Sequence, residues 1–183
     1  MSREQQGQPF PGNPPAEPAV EVQLAGQSGC DAIENLLQLY LHELSAFGSR
    51  EAGEDGRYPY PYLPLYWSEQ GRWPFLLRVD GNVAGFALVR QVEGRFQMAE
   101  FYVLREYRRC GVGERAARLL FAQFPGLWLV EELAANTAAI AFWRAVIGRF
   151  AGVFKERQGP SGLQQLFDSA APVHQLCRTG HGQ

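Results

Sequence analysis

EFYVLREYRRCGVGERAARLLFAQFPGLWLVEELAANTAAIAFW, residues Glu100 to Trp143, is the stretch that decides the fold. It begins as a strand that ends at Leu104, and Arg108-Arg109-Cys110-Gly111-Val112-Gly113 then opens a helix. Two glycines one residue apart allow a tight turn and a close approach of the backbone to a ligand. Because the first amides of a helix have no partner within it and the helix dipole adds positive charge, such a start binds phosphate. The stretch therefore predicts a cradle for pyrophosphate.

Upstream of this stretch, the spacing of the apolar residues changes in a definite order. Alternation predicts a strand, and recurrence every three or four residues predicts an amphipathic helix. Asp31 followed by Glu34 is a capping-box signal for the start of that helix. The predicted elements are a strand at Val20–Leu24, a helix at about 32–47, a loop rich in Gly, Pro and Tyr at 48–63, and a short helix at about 64–69.

The remaining elements follow from β-prone runs and further helical spacing. Asp80-Gly81-Asn82 joins two apolar runs and is a strong hairpin signal. The predicted strands are Phe75–Val79, Val83–Gln91, Met98–Leu104, Leu127–Leu133 and a last hairpin near Gly152–Glu156 and Gly162–Phe167; the predicted helices are Cys110–Phe124 and one capped by Asn136 that runs to about Ile147. This order predicts an α/β (α+β) mixed sheet of six to seven strands with helices on both faces.

Length and composition limit the class of protein. The 183 residues suit one domain, which we place at 19–168, with flexible tails at 1–18 and 169–183. A net charge of -2 and a pI near 5.9 do not favour a surface for polyanions, so nucleic acid is not expected as a partner. The three cysteines, Cys30, Cys110 and Cys177, lie far apart and do not have the spacing of a disulfide framework or a metal site. We expect a cytoplasmic protein with no signal peptide and no membrane span.

The cradle resembles a known family motif. Arg108-x-x-Gly111-x-Gly113 is similar to the (Q/R)xxGx(G/A) signature of the GNAT superfamily, the Gcn5-related N-acetyltransferases, whose loop amides hold the pyrophosphate of coenzyme A. The strand VAGFALV resembles the third strand of that family, and EFYVL resembles the fourth, whose Glu often deprotonates the acceptor amine. Asn136 to Trp143 resembles the NxxAxxFY element, whose Asn contacts the pantetheine arm. The likeness covers about residues 20–168.

This resemblance implies a GNAT acyl-CoA N-acyltransferase-like fold and an N-acetyltransferase that uses acetyl-CoA as co-substrate and needs no metal. It implies that the amine of a small molecule or peptide attacks the thioester directly in a ternary complex, and family members frequently form homodimers through sheet edges. The implied catalytic residues are Glu100 and Tyr102, and the implied cofactor-binding residues are Val103, Arg108, Arg109, Cys110, Gly111, Val112, Gly113, Glu114 and Asn136.

One residue departs from the family pattern. Trp143 stands where the family often has the Tyr that protonates the departing thiolate, and an indole cannot supply a proton at neutral pH. Because thiols have a pKa near 8.5, the thiolate leaves without much help. Tyr102 is a candidate substitute, since the period of a strand places it on the face of Glu100.

Three alternatives remain open at this stage. Gly111-Val-Gly113-Glu-Arg-Ala116 also fits the dinucleotide fingerprint of an oxidoreductase, with Glu131 about 20 residues on. Six residues separate Leu104 from Gly111, however, and the chain leaves little room for a doubly wound sheet. Trp143 favours a non-catalytic acyl-CoA-binding or sensing module, and transfer of another acyl group is the third alternative. Residues 48–69 are predicted to build the acceptor site, with the tyrosines at 58, 60, 62 and 66 either packing the loop or lining an amine pocket.

Overall fold

The computed structural model describes residues 18–48 and 50–170, and everything said below refers to these ranges. Within them the chain forms seven strands and four helices. In chain order these are β1 (Val20–Leu24), α1 (Cys30–Leu44), α2 (Leu65–Ser68), β2 (Arg72–Val79), β3 (Asn82–Val92), β4 (Arg95–Val103), α3 (Val112–Gln123), β5 (Leu127–Leu133), α4 (Thr137–Ala151), β6 (Lys155–Gln158) and β7 (Gly162–Asp168).

The strands form one sheet in the order β1-β2-β3-β4-β5-β7-β6. Among the described strands only β4 and β5 pair in parallel, and every other neighbouring pair is antiparallel. The predicted mixed α/β sheet is therefore confirmed. A doubly wound parallel sheet, which the dinucleotide-binding alternative requires, is not what this part of the chain builds.

Each face of the sheet is covered by its own hydrophobic core. On one face α1 packs against Phe86, Leu88 and Tyr102. On the other face α3 and α4 pack against a set rich in aromatic residues, which includes Phe75, Phe121, Trp128, Trp143 and Phe167. Because β3 lies between both layers, all its residues from Ala84 to Val89 are buried, which explains the long apolar run in the sequence.

The helix starts show one prediction that failed and one that is confirmed. The Asp31–Glu34 capping box is wrong, because α1 begins one residue before Asp31, after a 3-10 turn at Gln27–Gly29, and has no side-chain cap. Asp31 instead lies in the first turn, where its negative charge suits the helix dipole. Asn136 does cap α4, since its Oδ1 accepts a hydrogen bond from the Ala139 amide at 3.1 Å.

Several element ends differ from the predicted ones by a few residues. The strand expected from Phe75 begins at Arg72, although Pro74 lies within it, and the strand expected from Met98 begins at Arg95. Both strands are extended by polar residues that pair with β3. Arg72 pairs with Arg90, and the Arg90 side chain donates to Gln97 of β4 at 2.8 Å. Helix α4 continues to Ala151 because Ala151 prolongs the buried stripe of Trp143 and Ile147.

The predicted flexible tails fall almost entirely outside the described residues, since positions 1–17 and 171–183 are not described. At the two inner ends the chain is attached to the sheet. The Pro18 carbonyl accepts a hydrogen bond from Arg115, and the buried Ser169 hydroxyl donates to the Phe124 carbonyl at 3.1 Å. The packed chain thus reaches at least from Pro18 to Ser169.

Candidate functional site

The loop before α3 leads into the helix through two left-handed residues. Arg109 and Gly111 both have left-handed backbone conformations, with φ of 63° and 81°. The Arg115 amide donates to the Gly111 carbonyl at 3.0 Å, so the amides of the three residues before Arg115 precede the first bond of the helix. Alternating right- and left-handed residues turn successive amides toward one point and form a nest for an anion. The two left-handed residues and the helix start lie where the sequence predicts a phosphate cradle, and phosphate binding there stays a prediction.

The two arginines of this loop differ in their contacts. The Arg108 guanidinium donates to the Val103 carbonyl at 2.7 Å and to both carboxylate oxygens of Glu43 at 2.9 and 3.1 Å. It also lies over the Tyr102 ring, 5.2 Å from its centre. Arg109 is exposed, and no acidic side chain of the described residues pairs with it. Arg108 thus fixes the wall of the site, while Arg109 presents its positive charge beside the nest.

The remaining residues predicted for the cofactor differ in which atoms they expose. The Val112 side chain is buried in the core, and Gly113 lies so close to Phe142 that an added Cβ would be 3.3 Å from its ring. The Glu114 carboxylate binds Arg149 at 2.7 Å, and the hydrogen bond from Arg149 lowers the pKa of that carboxyl. The exposed Cys110 thiol donates to the Tyr107 carbonyl at 2.9 Å. For Val112 and Glu114 it is the backbone amide, not the side chain, that is available to a ligand.

A groove of about 660 Å³ runs from this helix start toward the sheet. The cradle and α4 form one side, and α1 forms the other. Its lining includes most of the residues predicted to bind cofactor, namely Val103, Arg108, Arg109, Gly111, Gly113, Glu114 and Asn136. The structure therefore brings together in one groove residues that lie up to 33 positions apart in the sequence.

Where the groove reaches the sheet, β4 and β5 separate. Their last paired residues are Met98 and Val130, and beyond them β4 has no partner on the β5 side, although β5 stays paired with β7 as far as Leu133. The backbone groups of β4 that face this notch have no partner on β5, although the Val103 carbonyl accepts from Arg108. A second cavity of about 290 Å³ occupies the notch and shares Tyr40, Leu44, Phe101, Asn136, Ala139 and Trp143 with the groove.

Glu100 lies on the β4 wall of the notch. Opposite β3 the pairing skips one residue, since Leu88 pairs with Glu100 and Val89 with Met98, so Ala99 forms a bulge. Glu100 therefore lies on the α1 face with Tyr102, whereas Met98 packs in the core on the other face. Gly85 permits the close approach of β3 there, because a Cβ at that position would lie 2.0 Å from the Tyr102 carbonyl oxygen. Glu100 and Tyr102 share this face, as predicted from the strand period.

Tyrosines surround the Glu100 carboxyl. The Tyr60 hydroxyl donates to Glu100 at 2.9 Å, and Tyr40 also interacts with it. Burial raises the pKa of the Glu100 carboxyl, and the hydrogen bonds from the two tyrosines offset part of that rise. A carboxylate with a raised pKa in a cavity can accept a proton near neutral pH.

Tyr60 is placed by a clamp on the loop between α1 and α2. The Gln38 side chain of α1 donates to the Tyr58 carbonyl at 3.0 Å and accepts from the Tyr58 amide at 2.8 Å. Arg57 pairs with Glu34, and His42 lies within hydrogen-bond distance of the Tyr58 hydroxyl. Tyr60 thus contacts Glu100, whereas none of the four loop tyrosines is among the lining residues of the 290 Å³ cavity, and their role in an amine pocket stays a prediction.

Tyr102 and Trp143, the two residues considered for thiolate protonation, occupy different surroundings. The Tyr102 hydroxyl donates to Glu43 at 3.1 Å, and burial followed by the Glu43 charge raises the pKa of this phenol. Trp143 is 5% exposed and packs on Phe101 and Phe121 while it lines both cavities. Trp143 is therefore part of the core that shapes the notch.

Several residues of the site have no local signal in the sequence. Gln38 and Glu43 are polar residues on an amphipathic helix, and Tyr40, Arg90 and Glu132 are single residues within helix or strand patterns. The sequence shows only that Gln38 and Glu43 are adjacent to positions of the apolar stripe of α1. Their roles follow from contacts across the sheet, which periodicity does not encode.

Within residues 18–48 and 50–170, no group of three or more His, Cys, Asp or Glu side chains is arranged to hold a metal ion. No helix in the same part of the chain has both the length and the apolar character needed to cross a membrane.

Solved structures of other proteins have the same fold as this chain. An acetyltransferase of the GNAT family from Staphylococcus aureus superposes with a TM-score of 0.61 at 12% identity, covering 82% of this chain and 99% of its own. YncA of Salmonella typhimurium, solved with acetyl-CoA, gives 0.58 at 18% identity over 84% and 98% of the two chains. PaiA of Thermoplasma acidophilum, solved with coenzyme A, gives 0.57 at 12% identity over 82% and 99%.

The sequence itself was also compared with known proteins. No protein of curated function matches it significantly. The model of the acetyltransferase (GNAT) family matches residues 33–148, which is more than half of the chain and includes most of α1, both strands that flank the notch, and the cradle. Together with the mixed seven-stranded sheet, this match shows that the chain belongs to the GNAT acetyltransferase family.

Proposed function

We propose that the protein transfers the acetyl group of acetyl-CoA to a primary amine by direct attack in a ternary complex. The observation that carries the proposal is the junction of the two cavities. The groove that begins at the α3 amides meets, at the notch, the smaller cavity that contains Glu100. A thioester delivered along the groove and an amine held in the smaller cavity would thus meet at one place.

The groove suits coenzyme A in two respects. Its positively charged end suits the pyrophosphate, and its extension toward the notch suits the pantetheine arm. The amides at the start of α3 and the unpaired Arg109 offer hydrogen bonds and positive charge to a pyrophosphate. Val103, Asn136 and Phe142 line the path toward the notch, where a pantetheine arm would lie. These residues bind and orient the co-substrate, and they take no part in proton transfer.

Glu100 is the residue that we assign to deprotonation of the acceptor. An alkylammonium ion cannot attack a carbonyl carbon until it loses a proton, and a partly buried carboxylate with a raised pKa is suited to take it. As the amine nitrogen forms its bond to the carbonyl carbon, the carbon–sulfur bond breaks and coenzyme A leaves as the thiolate, which takes up, directly or through water, the second proton that the nitrogen must lose to become an amide. Because a thiol has a pKa near 8.5, this step needs no dedicated acid, in keeping with Tyr102 being bound to Glu43.

The proposal is tested by thiol release from acetyl-CoA across a panel of primary amines, with wild-type protein and Glu100→Gln. We expect the variant to lose about 10²- to 10⁴-fold in kcat, the usual contribution of a general base, while acetyl-CoA affinity is retained. The wild-type rate should rise with pH through the raised pKa of Glu100, since the carboxylate is the active form, and this limb should be absent in the variant. Glu106→Gln, which removes an exposed carboxylate from the loop after β4, is the matched control. Unchanged kinetics in Glu100→Gln would remove Glu100 from this role.

A non-catalytic acyl-CoA-binding module is the second candidate, and Trp143 is the observation that favours it. The indole stands where family members often have a proton donor. The two candidates differ in turnover. Binding of acetyl-CoA with no thiol release in the presence of any amine of the panel would select the binding module.

A further inference from the structure

Two arginines of the acceptor cavity have no acidic partner and no part in the proposed reaction. Arg50 and Arg90 line the 290 Å³ cavity that also contains Glu100. The Arg90 side chain donates through Nε to Gln97 at 2.8 Å, and its two terminal nitrogens have no hydrogen-bond or ion-pair partner among the described residues. A guanidinium has five N–H donors in a planar fork, so this one retains the donors that bind a carboxylate.

The Arg90 side chain lies on the acceptor side of the sheet. Phe86 and Leu88 of β3 belong to the core beneath α1, and the period of a strand places Arg90 on the same face. Leu88 pairs with Glu100 and Arg90 pairs with Gln97, so Arg90 and Glu100 are diagonal neighbours on the β3–β4 pair. Diagonal neighbours on one face lie about 7–8 Å apart, which is within the reach of a long side chain.

The positive charge of Arg90 acts on the groups around the Glu100 carboxyl. Burial raises the pKa of Glu100, and the charges of Arg50 and Arg90, together with the tyrosine hydrogen bonds, offset part of that rise. Burial also raises the pKa of Tyr60 and Tyr66, and the charge of Arg90 opposes both rises. Because the interaction between charges falls with distance, these effects place the guanidinium close to Glu100 and the neighbouring tyrosines.

The other two glutamates of the cavity do not neutralise this charge. Glu131 accepts from the Ser161 amide at 2.9 Å and from the Gln164 side chain at 3.2 Å, and it forms no ion pair with a described arginine. Burial raises the pKa of the Glu132 carboxyl to about 8, so this group is mostly neutral at pH 7. Glu132 also shares the strand face of Val130, which packs in the core beneath α3 and α4.

We propose that Arg90 is a specificity residue that binds a carboxylate of the acceptor, so that the preferred substrates are free α-amino acids. The inference rests on the proposed function, since Glu100 deprotonates the amine of the same molecule. One carbon atom separates the amine of an α-amino acid from its carboxylate, which suits a carboxyl and a guanidinium at diagonal positions of two paired strands. Arg50, which is exposed, adds positive charge to the same cavity.

The experiment measures thiol release from acetyl-CoA with L-alanine, L-leucine and L-phenylalanine and with the amide of each. The amide keeps the side chain and the amine but has no negative charge. Because a carboxylate stabilises a neighbouring ammonium, the amide loses its proton more easily, so faster reaction of the acid must come from binding. For the best of the three pairs we expect kcat/KM of the acid to exceed that of the amide by roughly tenfold or more, the gain from hydrogen bonds between charged groups.

Arg90→Gln removes the guanidinium and should reduce the ratio of acid to amide to about one or less. Arg78→Gln is the matched control. Arg78 is also half-buried and also donates through Nε to a glutamine of the neighbouring strand, Gln23 at 2.7 Å, but it lines neither cavity. This control variant should keep the wild-type ratio.

Each outcome bears on one claim. A wild-type ratio near or below one overturns the inference without any variant. A high ratio that survives in Arg90→Gln overturns it as well, and equal slowing of acid and amide would then show that Arg90 acts only through the pKa of Glu100. Acetylation of amines with a flat ratio refutes only this inference, whereas the absence of thiol release with every amine refutes the proposed function together with it.

Discussion

The two sides of the notch are built in different ways. On the proposed cofactor side, the cradle consists of consecutive backbone amides, between Arg109 and Glu114, at one helix start. On the proposed acceptor side, the contacts are between side chains far apart in the chain, such as Tyr60 with Glu100, separated by 40 residues, and Gln38 with Tyr58, separated by 20. A site made of backbone depends on local conformation, whereas a site made of side chains depends on how distant elements pack.

Replacement of Gly111 tests the cofactor side with the largest effect expected in this comparison. Gly111 has a φ of 81°, and a residue with a Cβ pays about 1–2 kcal/mol in that left-handed conformation. The loop in Gly111→Ala should therefore shift, turn the amides away from the nest, and weaken acetyl-CoA binding by about tenfold or more. Isothermal titration calorimetry with acetyl-CoA measures the effect.

Gly94 provides the control for backbone strain alone. It has a φ of 75° in the turn between β3 and β4, and no atom lies within 4 Å of the position of an added Cβ, as at Gly111. Gly94→Ala should lower the melting temperature to a similar extent and leave acetyl-CoA affinity unchanged. Equal loss of affinity in the two variants would mean that the effect is global destabilisation and that the nest is not the binding element.

The two neighbouring arginines sharpen the comparison. Arg108 is bound to Val103 and Glu43 of the protein, whereas Arg109 pairs with no described acidic residue. Arg109→Gln should raise KM for acetyl-CoA by about five- to tenfold with little change in melting temperature, since it removes a charge that pairs with no described acidic residue. Arg108→Gln removes the bonds to Val103 and Glu43, so its main effect should be a lower melting temperature. The reverse distribution of effects would assign phosphate binding to Arg108.

Much of the cofactor side could be predicted from the sequence because its signals are local. The two glycines of the cradle, the preceding arginines and the Asn136 cap each act within a few residues, and the pattern of strands and helices placed them in order. The local prediction failed at the start of α1, because a 3-10 turn stands in place of the predicted side-chain cap. Asp31 is of a residue type that often caps helices, but after this turn α1 already begins at Cys30, one residue earlier.

The acceptor side could be predicted only in outline. Glu100 follows from its position on a strand, but its partner Tyr60 depends on the path of a loop that has no regular pattern. Glu132 lies in an alternating strand, where an acidic residue at a buried position is not distinguishable from one facing solvent without knowledge of the strand's neighbours. The bulge at Ala99, next to Glu100, likewise arises from the pairing of β3 with β4.

Gln38 tests whether the acceptor side depends on such long-range packing, and the expected effect is the smallest of the series. The clamp on Tyr58 holds Tyr60 against Glu100, and the hydrogen bond from Tyr60 lowers the pKa of that carboxyl. In Gln38→Ala this bond should weaken, so the pKa of Glu100 should rise further and the carboxylate form should appear only at higher pH. Because one hydrogen bond contributes about 1 kcal/mol and one pKa unit corresponds to about 1.4 kcal/mol, the acid limb of the kcat/KM profile should move up by roughly half a unit.

Tyr60→Phe removes the same hydrogen bond directly and should shift the acid limb in the same direction. If Gln38 acts only by placing Tyr60, the shift of the double variant should equal that of Tyr60→Phe alone, since the two changes remove one interaction. Asn35→Ala, an exposed change one turn earlier on α1, is the control for effects on the helix itself and should leave the profile in place. Additive shifts in the double variant would show that Gln38 influences Glu100 by a second route, and the clamp would then not be the link between the loop and the site.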